Sequence, residues 1–202
     1  AVCAAARQEI VRRYYAALCD RRTGQADDEL VYKLELIMQQ AKVDASIRPV
    51  IAASARVAEE TGNPAAALAL PGGEVVTGKT TALMGATSAT LLNALKRLAG
   101  IDHGSHLISP EAIEPIQSVK VSHLGSNNPR LHSDETLIAL AISATTNPLA
   151  KRALDQLARL RGCEAHSTVI LSPVDTGIYG KLGLRPVRDN LALFNSEVLC
   201  LW

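Results

Sequence analysis

The hydrophobic positions of the first sixty residues recur at helical spacing in three separate stretches. Residues 3–22 carry apolar side chains on one face and arginines on the other. A second stripe covers residues 27–41, and a third begins near Asp44 and stops at a Gly-Asn-Pro turn. We therefore predict three helices, which form a helical subdomain over residues 1–64.

The pattern changes after residue 64, where a short apolar run turns at Pro71-Gly72-Gly73 and continues as a second short apolar run. This turn chemistry between two short runs predicts a β-hairpin over residues 66–78. An amphipathic helix is expected over residues 88–99, and Gly100 would end it. The hairpin is expected to start a layered α/β unit over residues 65–202.

The hairpin segment also contains the letters of a phosphate-binding loop, G-x-x-x-x-G-K-T, from Gly73 to Thr80. Such a loop needs small residues in its curled interior and a helix directly after it. Two β-branched valines favour a strand here instead. A phosphate-loop ATPase stays open as the alternative, with Lys79 on phosphate, Thr80 on magnesium and Asp175 as a second acid.

Four more helices and three strands are predicted in the remainder of the chain. The run Thr168–Leu171 is the clearest candidate for a buried strand. In the helix over residues 133–144, the side chains expected to face inward are Leu137, Ile138, Ala141 and Ile142. The other predicted elements are helices near 109–125, 147–161 and 173–183, and short strands near 106–108 and 184–187.

Composition excludes several classes of function. The net charge of +1 and the aromatic content of 3% give no basis for nucleic-acid binding. No apolar run approaches the roughly 18 residues of a membrane span. The four cysteines, Cys3, Cys19, Cys163 and Cys200, lie far apart, which predicts reduced thiols and a cytoplasmic protein. Because the sequence opens without methionine inside a helical pattern, we expect a piece of a longer protein.

Polar side chains gather in three segments near predicted strand or helix ends, where ligands collect in layered α/β folds. Lys79 and Arg130 are the cations among them, so we expect a small anionic ligand that both would hold. Proton transfer would fall to His132, Asp134 or Asp175. The further hydrogen-bonding residues expected at the ligand are Thr77, Thr80, Asn127, Asn128 and Ser172.

A structural role for the same residues stays open. Ser133 and Asp134 could simply cap a helix, and Lys79 could lie in a solvated turn. Three possible metal ligands are Cys163, His166 and His132. His166 begins an apolar stretch, however, which favours burial of its ring in the core over metal binding. No metal site is predicted.

Several phrases resemble a known family: ARQEIVRRYYAALCDR, VTGKTTALMGATSATLLNALKRLAG, SPEAIEPIQ, LGSNNPRLHSDETLIALAISATTNP and LRGCEAHSTVILS. They are similar to the C-terminal part of an uncharacterised bacterial family, the domain of unknown function 1846. The resemblance implies a larger protein whose N-terminal region carries a glycine-rich nucleotide-binding loop, so ATP is the expected cofactor there. It also implies a three-layer α/β/α sandwich similar to cytidine deaminases, with a mixed sheet.

The zinc chemistry of deaminases needs a His or Cys and a Glu at one helix start, and two cysteines after a later Ser-Pro. This sequence has Thr87-Ser88-Ala89 at the first place, and Val174 and Gly177 at the cysteine positions. We therefore expect no zinc and no hydrolytic deamination.

These observations predict the C-terminal ligand-binding domain of a larger, ATP-linked bacterial protein. Its partners would be a small anion, its own N-terminal domains and further copies of itself. A purely structural domain that builds an oligomer through alanine-rich helices is a further alternative.

Overall fold

The structure is a computed structural model that describes residues 2–190, and within them the side chains of residues 3–184. The three predicted N-terminal helices are confirmed as α1 (Val2–Arg22), α2 (Asp28–Ala41) and α3 (Pro49–Thr61). Helix α2 begins where the Asp27 side chain accepts the Leu30 N–H. Helix α3 has proline in its first turn and ends at a glycine with positive φ.

The later helices are α4 (Ala86–Leu98), α5 (Pro110–Ser118), α6 (Ser133–Ser143), α7 (Pro148–Leu154) and α8 (Pro173–Lys181). Helix α5 runs directly into a π-helical turn, Val119–His123. A short 3-10 turn, Leu157–Leu160, follows α7. Within residues 2–190, no helix combines the length and apolar character that crossing a bilayer requires.

Four strands form one mixed sheet: β1 (Ala65–Ala69), β2 (Val75–Lys79), β3 (Glu164–Ser167) and β4 (Arg185–Asn190). Their order is β2-β1-β3-β4. Strand β1 is antiparallel to both β2 and β3, whereas β3 and β4 are parallel. The α/β class is therefore confirmed.

The predicted hairpin is confirmed, with Ala69 opposite Val75. Its turn is closed by the N–H of Gly73, which donates to the carbonyl of Leu70 at 2.9 Å. A side chain at Gly78 would place Cβ 2.3 Å from the backbone nitrogen of Thr90, so only glycine allows α4 to pack this closely. The segment therefore lacks the geometry of a phosphate loop, because it is a strand and α4 begins only at Ala86.

The sheet separates two hydrophobic clusters, and successive residues of β1 pack into one or the other in alternation. Leu68 packs with α4 and the helices beyond it, in a cluster that includes Leu91 and Leu140. Ala67 packs with Val11 and with residues of α3. Helices α1 and α3 therefore pack against one face of the sheet and α4 against the other. The division into two subdomains at residue 64 stays a prediction.

The strand predicted at Thr168–Leu171 is wrong, because β3 lies four residues earlier in a mostly polar sequence. Pairing with the alanine-rich β1 determines the register, with Ala165 opposite Leu68. Thr168 ends the ladder by donating its N–H to the carbonyl of Ala65 at 2.9 Å. Beyond it, Ile170 is largely exposed. A short apolar run alone did not identify the strand.

The predicted inward face of α6 is also wrong. The helix buries Ser133, Thr136, Ala139 and Leu140, whereas Ile138 and Ile142 are 60% and 62% exposed. Contacts at the start of the helix fix its rotation and bury the polar Ser133. Residues 106–108 form no strand, although Leu107 and Ile108 are buried in the core. Cys3, Cys19 and Cys163 are free thiols, and Cys200 lies outside the described residues.

Candidate functional site

Two helix starts face each other on the α4 side of the sheet. His132 is the residue before α6, and Asp175 lies in the first turn of α8. The His132 Nδ1 atom is 3.1 Å from the Asp175 Oδ2 atom. This contact joins residues that are 43 positions apart in the sequence.

Both oxygens of the Asp175 carboxylate accept hydrogen bonds. Its Oδ1 accepts the N–H of Ser133 at 2.9 Å and the hydroxyl of Ser133 at 2.6 Å. Its Oδ2 accepts the hydroxyl of Ser172 at 2.8 Å. Burial raises the pKa of Asp175, but the hydrogen bonds from Ser133, Ser172 and His132 outweigh it and hold the pKa below its usual value. Asp175 is therefore ionised at neutral pH.

An ionised Asp175 determines the tautomer of His132. A carboxylate can only accept, so we assign the imidazole proton to Nδ1, which leaves a lone pair on Nε2. The His132 side chain is 27% exposed, whereas that of Asp175 is 9% exposed. His132 can therefore exchange a proton with a bound molecule while Asp175 fixes its orientation.

A buried lysine holds the loop that carries His132. The Lys120 ammonium donates to the carbonyl of Arg130 and to Glu135 Oε2, both at 2.7 Å. The same Glu135 oxygen accepts the N–H of His132 at 2.8 Å. Lys120 was not among the residues predicted from the sequence. A single lysine in the apolar-rich stretch IQSVKV was the available indication of a buried, paired cation.

Arg130 connects this loop to the end of the hairpin region. Its Nε donates to the carbonyl of Thr81 at 2.9 Å, and its N–H donates to Asn128 Oδ1 at 3.1 Å. The next residue, Leu131, forms a parallel β-bridge with Met84. The guanidinium is largely exposed. The loop is thus fastened on one side to residues 81–85 and on the other to α8.

The structure brings together His132, Ser172 and Asp175. Arg130 and Asn128 lie on the loop that leads to His132, and Asn128 holds that loop. The structure pairs His132 with Asp175 rather than with Asp134, whose carboxylate accepts the N–H of the adjacent residue. Three other predicted residues have different surroundings. Asn127 is exposed, the Thr77 carbonyl accepts from Asn93, and the Thr80 N–H donates to the carbonyl of Pro64.

Lys79 does not share a pocket with Arg130, which corrects the sequence-based expectation. Strand residues alternate between the two faces of a sheet. Gly78 faces α4, so Lys79 faces the α3 side, together with Val75. Arg130 precedes Leu131, which is part of the core on the α4 side. Of the two cations predicted to hold the anion, Arg130 therefore remains at this site.

The three side chains considered as metal ligands are engaged separately. The Cys163 thiol contacts the carbonyl of Arg159, and the His166 ring packs edge-on against Tyr15 at 5.8 Å between centroids. Across the part of the chain that the structure describes, no three His, Cys, Asp or Glu side chains converge as a metal site.

The chain belongs to the family defined by the domain of unknown function DUF1846. Residues 46–194 match the model of the C-terminal domain of unknown function DUF1846, and residues 1–42 match that of its N-terminal domain. The suspected family is thereby confirmed. The chain is more than the C-terminal part, however, because residues 1–42, which include α1 and α2, match the N-terminal domain. The two matches meet between residues 42 and 46, just before α3.

Curated relatives carry the name UPF0371 protein. One from Corynebacterium efficiens is 54% identical over 197 residues, which are 96% of this chain and 40% of that protein. One from Streptococcus pyogenes serotype M3 is 50% identical over 185 residues, which are 92% of this chain and 37% of that protein. The chain thus spans 40% or less of the length of these relatives.

Proposed function

We propose that this chain is the ligand-binding domain of a larger DUF1846 protein and binds a small phosphate or carboxylate beside His132. The observation that carries the proposal is the partly exposed His132, held by the buried Asp175 between the starts of α6 and α8. Arg130, two residues away, adds an exposed guanidinium. Helix starts and arginine both favour an anion.

Two backbone donors support this location. Within the described residues, the N–H groups of Asp134 and Val174 donate to no protein acceptor. Both belong to the first turn of a helix, α6 for Asp134 and α8 for Val174. Unsatisfied N–H groups of a first turn are the usual donors to bound anions. The negative charge of Glu135 beside them is compensated by Lys120.

His132 would supply the chemistry of the site. With its Nδ1 proton directed at Asp175, the Nε2 atom can accept a proton from a ligand hydroxyl and later return it. Ser172 is not the nucleophile in this proposal, because its hydroxyl donates to Asp175 and accepts the N–H of the same residue. It acts as the cap of α8.

Thermal unfolding with increasing inorganic phosphate tests the proposal. A ligand at a hundred times its Kd stabilises the folded state by about 2.7 kcal/mol. We expect phosphate to raise the melting temperature of the wild type and not that of Arg130→Ala or His132→Gln. Lys79→Ala is the matched control, since it removes an exposed cation on the opposite face and should respond like the wild type.

Two results would contradict the phosphate site. The first is a wild type that neither phosphate nor acetate stabilises. The second is an equal loss of the response in Lys79→Ala and Arg130→Ala, which would indicate general screening of charge instead of a site.

A structural role in oligomer formation is the second candidate function. Ile138 and Ile142 lie one turn apart on the outer face of α6 and are 60% and 62% exposed. Exposed apolar patches often mark contacts between proteins. If copies associate through this face, Ile138→Lys would lower the sedimentation coefficient, and Val174→Lys on α8 would serve as the matched control.

Further parts of the proposal rest on the resemblance. They are a link to ATP through the N-terminal region of the longer relatives, a cytoplasmic location and a deaminase-like three-layer arrangement. Helices on both faces of the sheet, and a helix that begins at Ser172-Pro173 shortly after β3, support the last of these. The phosphate-loop alternative is not retained, because Gly73–Thr80 belongs to the hairpin.

A further inference from the structure

Lys120 is an unusual residue for its place in the fold. It is the second residue of the π-helical turn and is 6% exposed, whereas its neighbours Val119 and Val121 are 50% and 43% exposed. The turn thus places its lysine inside and its valines outside. A buried ammonium is costly unless it is paired. π-Helical turns occur frequently at functional sites.

The contacts of Lys120 reach both ends of one three-residue segment. One hydrogen bond goes to the carbonyl of Arg130, where the segment begins. The other goes to Glu135, whose same oxygen accepts the N–H of His132, where the segment ends. The middle residue, Leu131, donates its N–H to Leu83 and accepts at its carbonyl from the N–H of Gly85. The backbone that carries Arg130 and His132 is therefore fixed at every residue.

We propose that Lys120 is a positioning residue for the anion site, an inference that rests on the proposed function. It holds the backbone at Arg130 and His132, so that the guanidinium and the imidazole are oriented before the ligand arrives. It also neutralises Glu135, which would otherwise present an uncompensated carboxylate next to the incoming anion. Both effects raise the affinity for the anion.

Lys120→Met retains the length of the side chain and removes its donors. The carbonyl of Arg130 and the Glu135 carboxylate then lose their common partner, so the His132 loop is released. We expect the anion-free ¹⁵N NMR spectrum of the protein to show the His132 imidazole in a mixture of tautomers in place of the single Nδ1–H form. Phosphate affinity should fall at least about tenfold, or roughly 1.4 kcal/mol.

Two further variants separate positioning from plain loss of stability. Lys120→Arg keeps a cation within reach of both acceptors and should restore the single tautomer, with phosphate affinity within a few-fold of the wild type. Lys151→Met removes an exposed lysine paired with Asp155 and should change neither property. If Lys120→Met does not fold, Glu135→Gln removes the same charge pair and keeps an oxygen for the His132 N–H.

The outcomes distinguish this inference from the proposed function. A Lys120→Met protein that melts earlier, yet keeps the His132 spectrum and the phosphate affinity of the wild type, would overturn the positioning role. If the wild type binds no phosphate, the proposed function fails. The anion-free His132 spectrum then still decides whether Lys120 orients the imidazole.

Discussion

Two polar clusters on opposite sides of the sheet use the same types of side chain. On the α1 and α3 side, Arg48 forms an ion pair with Glu164, and His166 lies nearby against Tyr15. On the α4 side, His132 pairs with Asp175 at the starts of α6 and α8. Each cluster combines a histidine with a carboxylate, and each fastens segments that are distant in the sequence.

The clusters differ in their access to solvent. Arg48 and His166 are 1% and 3% exposed. Burial, followed by the charge of Arg48, lowers the pKa of His166 to about 3, so this ring is neutral at physiological pH. The His132 side chain is 27% exposed, and Arg130, two residues earlier in the chain, is exposed as well. Residue type alone therefore does not identify a binding site, and the accessible cluster is the one that can meet a ligand.

Breaking the buried cluster of Arg48, Glu164 and His166, the closed cluster, should have the largest effect on stability. Arg48→Met leaves Glu164 without its partner in a mostly buried place, and such losses cost about 3 kcal/mol. Urea unfolding measures this directly. Arg56→Met, which removes an exposed arginine paired with Glu60, should cost no more than about 0.5 kcal/mol. Equal, small effects for both variants would show that the Arg48 pair does not stabilise the fold.

Acid should destabilise the protein through His166. In the unfolded chain this ring takes up a proton near pH 6.5, whereas in the folded chain it stays neutral down to about pH 3. The unfolded state then binds more protons, so the stability contributed by His166 is complete above about pH 6.5 and falls as the pH drops towards 3.

We expect the wild type to lose about 2 kcal/mol more than His166→Gln between about pH 7 and pH 4.5, as measured by urea unfolding. His103→Gln, at an exposed position, should lose stability like the wild type. If His166→Gln shows the same acid sensitivity as the wild type, the buried ring is not the cause.

Substitution in the accessible cluster of His132 and Asp175, the open cluster, should cost less stability but should change the orientation of the His132 ring. Asp175→Asn weakens the hydrogen bonds from Ser133, Ser172 and His132, which we expect to cost about 2 kcal/mol. The His132 imidazole should no longer be held in one tautomer. Asp134→Asn, which alters a carboxylate that accepts the N–H of the adjacent residue, should cost about 0.5 kcal/mol and leave His132 unchanged. A single His132 tautomer in Asp175→Asn would contradict the assigned role.

The helices and the hairpin were predictable because their determinants are local. The Asp27 cap, the proline of α3 and the turn before β2 all act within a few residues. Strand β3 was placed four residues too late, because its position depends on pairing with β1, about a hundred residues earlier.

Individual residues of the site were predictable from the sequence, but the contacts between them were not. His132, Asp175 and Arg130 were identified as candidates, but the contact between His132 and Asp175, which lie 43 positions apart, was not predicted. Lys79 was wrongly placed at the site, because the side of the sheet that it faces depends on which residues of β2 face α4, and the sequence did not determine this. Lys120 was missed because only the folded π-helical turn buries it.

The central claim is that an anion binds at the open cluster and not at the closed one. Histidine ¹⁵N NMR with added inorganic phosphate tests this directly, because all five histidines report in one spectrum. His132→Gln and His166→Gln assign the two relevant signals. We predict a saturable shift of the His132 signal and an unchanged His166 signal. A silent His132, or a shift shared equally by the exposed His103 and His106, would contradict the account.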